Sequence, residues 1–255
     1  MNILIANDDG IDSKGLLALV DALKDTYDLY VAAPISQRSA FSHSVTYFYQ
    51  DNRAEERIIP GVKKAWAIDG TPSDCVYYGL CGLFDVKMDL IISGINIGRN
   101  LASDVVYSGT VAAAGEAMIL GTPGMAVSLC SHKAEDFSAA ADAAKKLIPV
   151  FMSCRNRSRF ILNINVPAVK AEEIKGMKVT DLHDHVDYKR PVSLVHKEDG
   201  IYLTMNDNEM PDKPSTKQTI TDVEAVEMGY IALTPLYYDM CASMYFDEMK
   251  EMEKL

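Results

Sequence analysis

Short runs that are apolar at nearly every position recur along the first two-thirds of the chain, and helical periodicity separates them. The runs are NILIAN (2–7), LYVAAP (29–34), DLIISGIN (89–96), MAVSL (125–129) and FILNINVP (160–167). Strands of this kind are expected where helices cover both faces of a parallel sheet. Between them, Leu16, Leu19, Val20 and Leu23 repeat at helical spacing. Helices are also predicted over Asp74–Leu83 and Thr110–Leu120, and on the stripe Phe137, Ala141, Ala144, Ile148, where Pro149 should end or kink the helix. Such alternation predicts an α/β fold with a doubly wound, mostly parallel sheet.

After about Pro167 the pattern changes. VSLVHKEDGIYLTMN (192–206) reads as a C-terminal β-hairpin turning at Glu198-Asp199-Gly200, and GYIALTPL as a late strand. The tail carries Tyr238, Cys241, Tyr245, Met249 and Met252 on one helical stripe. A one-sided stripe needs cover, either the protein's own core or another subunit. One domain is expected over 1–255, with its core at about 1–167 plus 228–236 and with hairpin and tail extensions at about 178–227 and 237–255.

Acidic residues number 36 against 25 basic, a formal net charge of −11. That excludes a general nucleic-acid binder, which needs a basic face. A small anionic substrate remains compatible if a metal ion or helix N-termini supply local positive potential. The five cysteines form no CxxC, and their odd number predicts reduced thiols in a cytoplasmic protein. The chain enters an apolar strand at once with no basic leader, so no secretory signal is expected. No run reaches the ~18 apolar residues of a membrane span.

In open α/β sheets ligands bind beyond the carboxyl ends of the strands. Asn7-Asp8-Asp9-Gly10 follows the first strand. Adjacent carboxylates repel, and a cation offsets that repulsion; hard oxygen ligands select Mg²⁺ or Mn²⁺ over zinc. The same tetrapeptide also suits a plain turn. Ser36 to Thr46, after the second strand, is rich in hydroxyls, which can ligate a metal or simply face solvent. Gly94 to Asn100 lets backbone approach a ligand, or turns the chain. Ser108 or Thr110 can cap the following helix and aim free amides at an anion. The convergence of four polar turns at one sheet edge favours a site over four coincidental loops. No GxGxxG follows the first strand, and no Walker loop or GxSxG elbow occurs. His183 and His185 read as a solvated loop rather than a zinc site.

The motifs ILIANDDGI (3–11), AAPISQRSAFSHSVT (32–46), IDGTPSDCV (68–76) and DLIISGINIGRNLASDVVYSGTVAAAGEA (89–117) resemble those of the SurE family, the survival-protein E nucleotidases. Echoes follow in LNINVP (162–167) and TDVEAVEMGYIALTPL (221–236). The resemblance implies a Rossmann-like core. It implies a metal-dependent phosphohydrolase acting on nucleoside 5′- and 3′-monophosphates, with one divalent ion, Mg²⁺ or Mn²⁺, per subunit. It maps the metal ligands onto Asp8, Asp9, Ser39 and Asn96. It also implies a homodimer or homotetramer assembled through the C-terminal segment; the acidic balance and the lack of an apolar span leave no nucleic-acid polymer or membrane as an expected partner. Two positions depart from the family pattern: Ala40 stands where glycine usually follows the metal-binding serine, and Ala112 where glycine follows SGTV. Alanine disfavours positive φ, so the Ser39 loop is expected to tilt.

On this reading a metal-activated water attacks phosphorus in line with the leaving ribose oxygen. Backbone around Ser108, Gly109 and Thr110 stabilises the equatorial oxygens, helped by Asn100. Asp9 orients the water, His43 is the speculative acid for the leaving oxygen, and Arg38 and Arg99 are near enough in sequence to meet phosphate. Competing readings are a non-catalytic Mg²⁺-binding receiver-like signalling module, a phosphatase using an aspartyl-phosphate, and a nucleotide-binding module without catalysis. A receiver needs a phospho-accepting Asp at the end of a central strand, where this chain has Ser93-Gly94.

Overall fold

A computed structural model describes residues 1–184, 192–205 and 214–254. In chain order the elements are β1 (Asn2–Ala6), α1 (Lys14–Leu23), β2 (Asp28–Pro34), β3 (Ala54–Arg57), β4 (Val62–Ile68), α2 (Pro72–Cys81), β5 (Leu90–Ile97), α3 (Asp104–Tyr107), α4 (Gly109–Ile119), β6 (Gly124–Cys130), α5 (Ser138–Ser153) and β7 (Ile161–Pro167). β8 (Met177–Val179), β9 (Val192–Lys197), β10 (Gly200–Met205), α6 (Asp222–Glu227), β11 (Ile231–Leu236) and α7 (Phe246–Met249) complete them.

One sheet takes the order β3-β4-β2-β1-β5-β6-β7-β11-β8. The strands from β4 to β7 in that order are parallel, β3 and β11 run antiparallel to their inner neighbours, and β8 is parallel to β11. The chain winds outward from β1 in one direction through β2 and β4, then in the other through β5, β6 and β7. The order therefore reverses at β1, which opens a crevice beyond the carboxyl ends of β1 and β5.

Alternation along the central strands feeds two cores. Ile3, Ile5, Ile92 and Val127 face α1 and α5, meeting Leu16, Leu19, Ala144 and Ile148. Leu4, Ala6 and Ile91 face α2 and α4, meeting Val76, Ala113 and Ala117. Each large aliphatic side chain so buried contributes roughly 1.5–3 kcal/mol. α2 begins with a capping box, in which Thr71 and Asp74 exchange side chain-to-backbone bonds ahead of Pro72.

Three expectations need correction. The helix α5 runs through Pro149 to Ser153. Pro149 and Lys145 both lie on its exposed face, so the Lys145 carbonyl that proline cannot satisfy meets water. The tail is helical only in short turns at Ser243–Tyr245, α7 and Lys250–Lys254, so Tyr238 and Cys241 precede the helix and the stripe is not one face. Tyr238 lies beside His43 and over Gly115 of α4 while remaining 37% exposed, and Tyr245, Met249 and Met252 are more exposed still. His183 is buried rather than solvated, with its backbone N–H donating to Asp222 at 2.9 Å and its Nδ1 at 3.1 Å from the Thr221 hydroxyl. His185 lies outside the described residues. The hairpin forms as expected, β9 pairing antiparallel with β10 in a separate two-stranded sheet.

Candidate active site

The turn after β1 is built by Asn7. Its Nδ2 donates to the Gly10 carbonyl at 2.8 Å and to Ser13 Oγ at 2.7 Å, which locks the turn onto the cap of α1. Gly10 adopts φ 100°, a region open cheaply only to glycine. Held this way, the two acids reach different elements. The Thr110 hydroxyl donates to Asp8 Oδ1 at 2.5 Å, and the Thr110 backbone amide also bonds Asp8. The Ile97 N–H donates to Asp9 Oδ2 at 3.1 Å. Asp8 thus sits over the N-terminus of α4, and Asp9 is bound to the end of β5.

The approach to α4 depends on Gly109. A Cβ there would lie 2.8 Å from Asp8 Cβ and 3.1 Å from Pro72 Cγ. Ser108 caps the helix by accepting from the Val111 N–H at 3.0 Å. Three of the expected phosphate-side residues, Ser108, Gly109 and Thr110, therefore stand beside Asp8, with Thr110 directed at the carboxylate itself.

Burial dominates the charge state of Asp8. It pushes the carboxyl up to about 6, the bonds from Thr110 oppose the rise, and the Asp9 charge adds to it. Burial raises Asp9 as well, against the Ile97 N–H. A crowded acid pair with raised protonation tendencies is the electrostatic signature of a place that favours a cation.

The loop after β2 brings Ser39 to this pair. The Arg38 N–H donates to the Asp8 carbonyl at 2.7 Å, and Gln37 Nε2 reaches both Ser39 Oγ at 3.0 Å and Asp9 Oδ1 at 3.5 Å. Ala40 takes φ 59° and Ser42 φ 53°, so the loop keeps a left-handed shape despite lacking glycine. Asn96 donates its Nδ2 to the Gly98 carbonyl at 3.0 Å, so Oδ1 is the side-chain atom that could face an ion. The β5–β6 register shifts between Ser93 and Asn96, and the Gly94–Ile95 peptide is cis. Asp8, Asp9, Ser39 and Asn96 would offer an ion oxygen donors with two negative charges, a chemistry that fits Mg²⁺ or Mn²⁺. Among the described residues no group of three or more His, Cys, Asp and Glu side chains gathers as a metal site, so any such ion relies on neutral oxygens beside this pair.

Asn100 is buried, its Nδ2 donating to Ser128 Oγ at 2.8 Å. His43 is turned elsewhere: its Nε2 lies 2.7 Å from Glu116 Oε2, a buried carboxylate two turns along α4. His43 and Ser108 both line a cavity of about 900 Å³ that also includes Val111, Ala112, Leu236 and Tyr238. Arg38 and Arg99 are each in ion pairs, with Asp69 at 2.8 Å and Asp104 at 3.2 Å. Asn7 and Gln37 escaped the sequence reading as functional residues, although both lie inside quoted motifs. Their signal was position beside the acids and the serine, not residue chemistry.

The family model for survival protein SurE matches residues 3–188. The 5′-nucleotidase SurE of Pelotomaculum thermopropionicum is 39% identical over 265 residues, spanning 100% of this chain and 96% of that protein. The 5′-nucleotidase SurE of Clostridium botulinum is 35% identical over 258 residues, spanning 100% and 99%. The crystal structure of the SurE protein from Aquifex aeolicus superposes with a TM-score of 0.82 at 32% identity, over 99% of this chain and 100% of that one.

Proposed function

This chain belongs to the SurE family, and from that premise we propose that it is a metal-dependent 5′-nucleotidase releasing phosphate from nucleoside 5′-monophosphates, with 3′-monophosphates as a second substrate class. The observation that carries the reading is the placement of Asp8 and Asp9 in the crevice beyond β1, one bonded to the N-terminus of α4 and the other to the end of β5. A receiver-like module would need an acceptor aspartate at the end of β5; the strand runs past Ser93 and Gly94, where the sequence pattern ended it, to Asn96 and Ile97, and no aspartate stands there. A module without catalysis is disfavoured by the names of the relatives.

We assign one divalent ion per subunit to Asp8, Asp9, Ser39 and Asn96. When bound, such an ion neutralises phosphate charge and lowers the pKa of a water. The chain's own residues do the rest. Asp9 orients the attacking water. The Ser108 hydroxyl, the Gly109 amide and Asn100 meet the equatorial oxygens, and losing one such donor typically costs ~3 kcal/mol of transition-state stabilisation. Thr110 holds Asp8 in place. His43 is assigned the proton for the leaving oxygen; with Nε2 committed to Glu116, that proton has to leave from Nδ1.

We further propose that residues 1–255 act as one domain, and that the C-terminal segment builds a homodimer or homotetramer. The exposed Met240, Met244 and Phe246 support the latter. Five free cysteines support a reducing, cytoplasmic setting, and among the described residues no helix is long and apolar enough to cross a membrane. The test is phosphate release from a panel of nucleoside 5′- and 3′-monophosphates with Mg²⁺, Mn²⁺ or EDTA. Metal-dependent turnover is expected, and turnover unaffected by EDTA would overturn the reading.

A further inference from the structure

The two later motif echoes have no part in the chemistry described so far, yet both run to one loop. The Asn100 N–H donates to Asn165 Oδ1 at 2.9 Å. The Asn100 carbonyl accepts from Asn165 Nδ2 at 3.0 Å and from Asn163 Nδ2 at 2.9 Å. The Asn100 side chain donates to Ser128 Oγ at 2.8 Å. Two residues on, the Ala102 N–H donates to Asp222 Oδ2 at 2.8 Å, and Asp222 Oδ1 accepts from the His183 and Val223 amides, each at 2.9 Å. Asn100, Ser128, Asn163, Asn165 and Asp222 are all buried.

The sheet register explains the convergence. Asn96, Ser128 and Asn165 are paired in one row across β5, β6 and β7, strands spaced about 4.8 Å apart. Asn163 precedes Asn165 by two and shares its face. The row begins at a candidate metal ligand and passes beneath the loop that follows it. A loop backbone has to satisfy its polar groups, and at a surface water does so. Here buried amides take that role at both the N–H and the carbonyl of one residue, while a buried hydroxyl holds the same residue's side chain. Donors fixed before the substrate arrives need no reorganisation during reaction.

We infer that Asn163, Asn165 and Ser128 are positioning residues for Asn100, with Asp222 pinning the far side of the same loop at Ala102. The inference rests on the proposed role of Asn100 at the phosphate.

The experiment compares Asn100→Ala, Asn165→Ala, Ser128→Ala and the double variant Asn100→Ala/Asn165→Ala in the full chain. Steady-state kinetics with AMP and Mn²⁺, Mn²⁺ affinity and amide hydrogen exchange are measured. Asn100→Ala is expected to lower kcat by about a hundredfold, the effect of losing one positioned donor. Asn165→Ala and Ser128→Ala are expected to lower kcat by about tenfold, with KM and Mn²⁺ affinity held within about twofold. The double variant should be no slower than Asn100→Ala, and exchange at 98–103 should quicken in Asn165→Ala. If Asn165→Ala does not fold, Ser128→Ala, which deletes a single hydroxyl, decides alone. Wild-type kcat in both positioning variants beside a crippled Asn100→Ala would overturn the inference and leave the reading of Asn100 standing. Wild-type kcat in Asn100→Ala would remove both.

Discussion

The Thr110 hydroxyl and Asp8 Oδ1 lie 2.5 Å apart across 102 residues of sequence, so the first turn of α4 holds the first acid after β1. A hydrogen bond to a charged group contributes roughly 1.5–3 kcal/mol. Thr110→Val removes the hydroxyl at nearly constant volume and should lower kcat by about 10–100-fold, whereas Thr110→Ser should keep most of it. Kinetics on the two variants checks this, and equal turnover in both would show that the bond is idle.

Because burial raises the Asp8 pKa from 3.8 to about 6, charging this group costs the folded, metal-free protein stability. The sign follows from proton linkage: the folded state binds the proton more tightly, so stability falls as pH rises through this window. The penalty is absent below 3.8 and complete above about 6. Metal-free Asp8→Asn should therefore be more stable than the parent by about 3 kcal/mol at pH 8, with the difference vanishing near pH 3. Urea unfolding in EDTA at the two pH values measures it. A variant less stable than the parent at pH 8 would contradict the burial argument.

Ala40 at φ 59° occupies a region that costs an L-residue about 1–2 kcal/mol. Glycine's greater freedom in the unfolded chain takes back about 0.4–1 kcal/mol of any relief. Ala40→Gly should still raise Tm by about 2 °C, read by calorimetry. A lowered Tm would mean that the loop gains more from the methyl group than it loses to strain.

Exposed Met240, Met244, Tyr245 and Phe246 leave the tail without cover within the described chain. Light scattering should find the full chain as a dimer or tetramer and a chain truncated after Tyr238 as a monomer. A monomeric full chain would contradict the proposed assembly.

Much of this was legible before the structure. β1, β2, β5, β6 and β7 stand out because strands buried on both faces are apolar throughout, and Asp8-Asp9 stands out because paired charges at a strand end need an explanation. The rest depended on tertiary placement. The shift between Ser93 and Asn96 in β5 brings Ser93 and Asn96, three residues apart, opposite Ala126 and Ser128, two apart on β6, and no periodicity announces it. Pro149 read as a helix end because its own exposure, which makes it tolerable, is a property of packing. His183 read as solvated because its partners Thr221 and Asp222 lie about forty residues on. The pairing of His43 with Glu116 spans 73 residues, so no local spacing announces it.

Manganese titration of the full chain by calorimetry bears most directly on the role of the paired acids. The wild-type protein is predicted to bind one Mn²⁺, and Asp9→Asn, which keeps shape but removes one charge, is predicted to bind it at least about tenfold more weakly. Equal affinity in the two proteins would show that the carboxylates beyond β1 hold no ion.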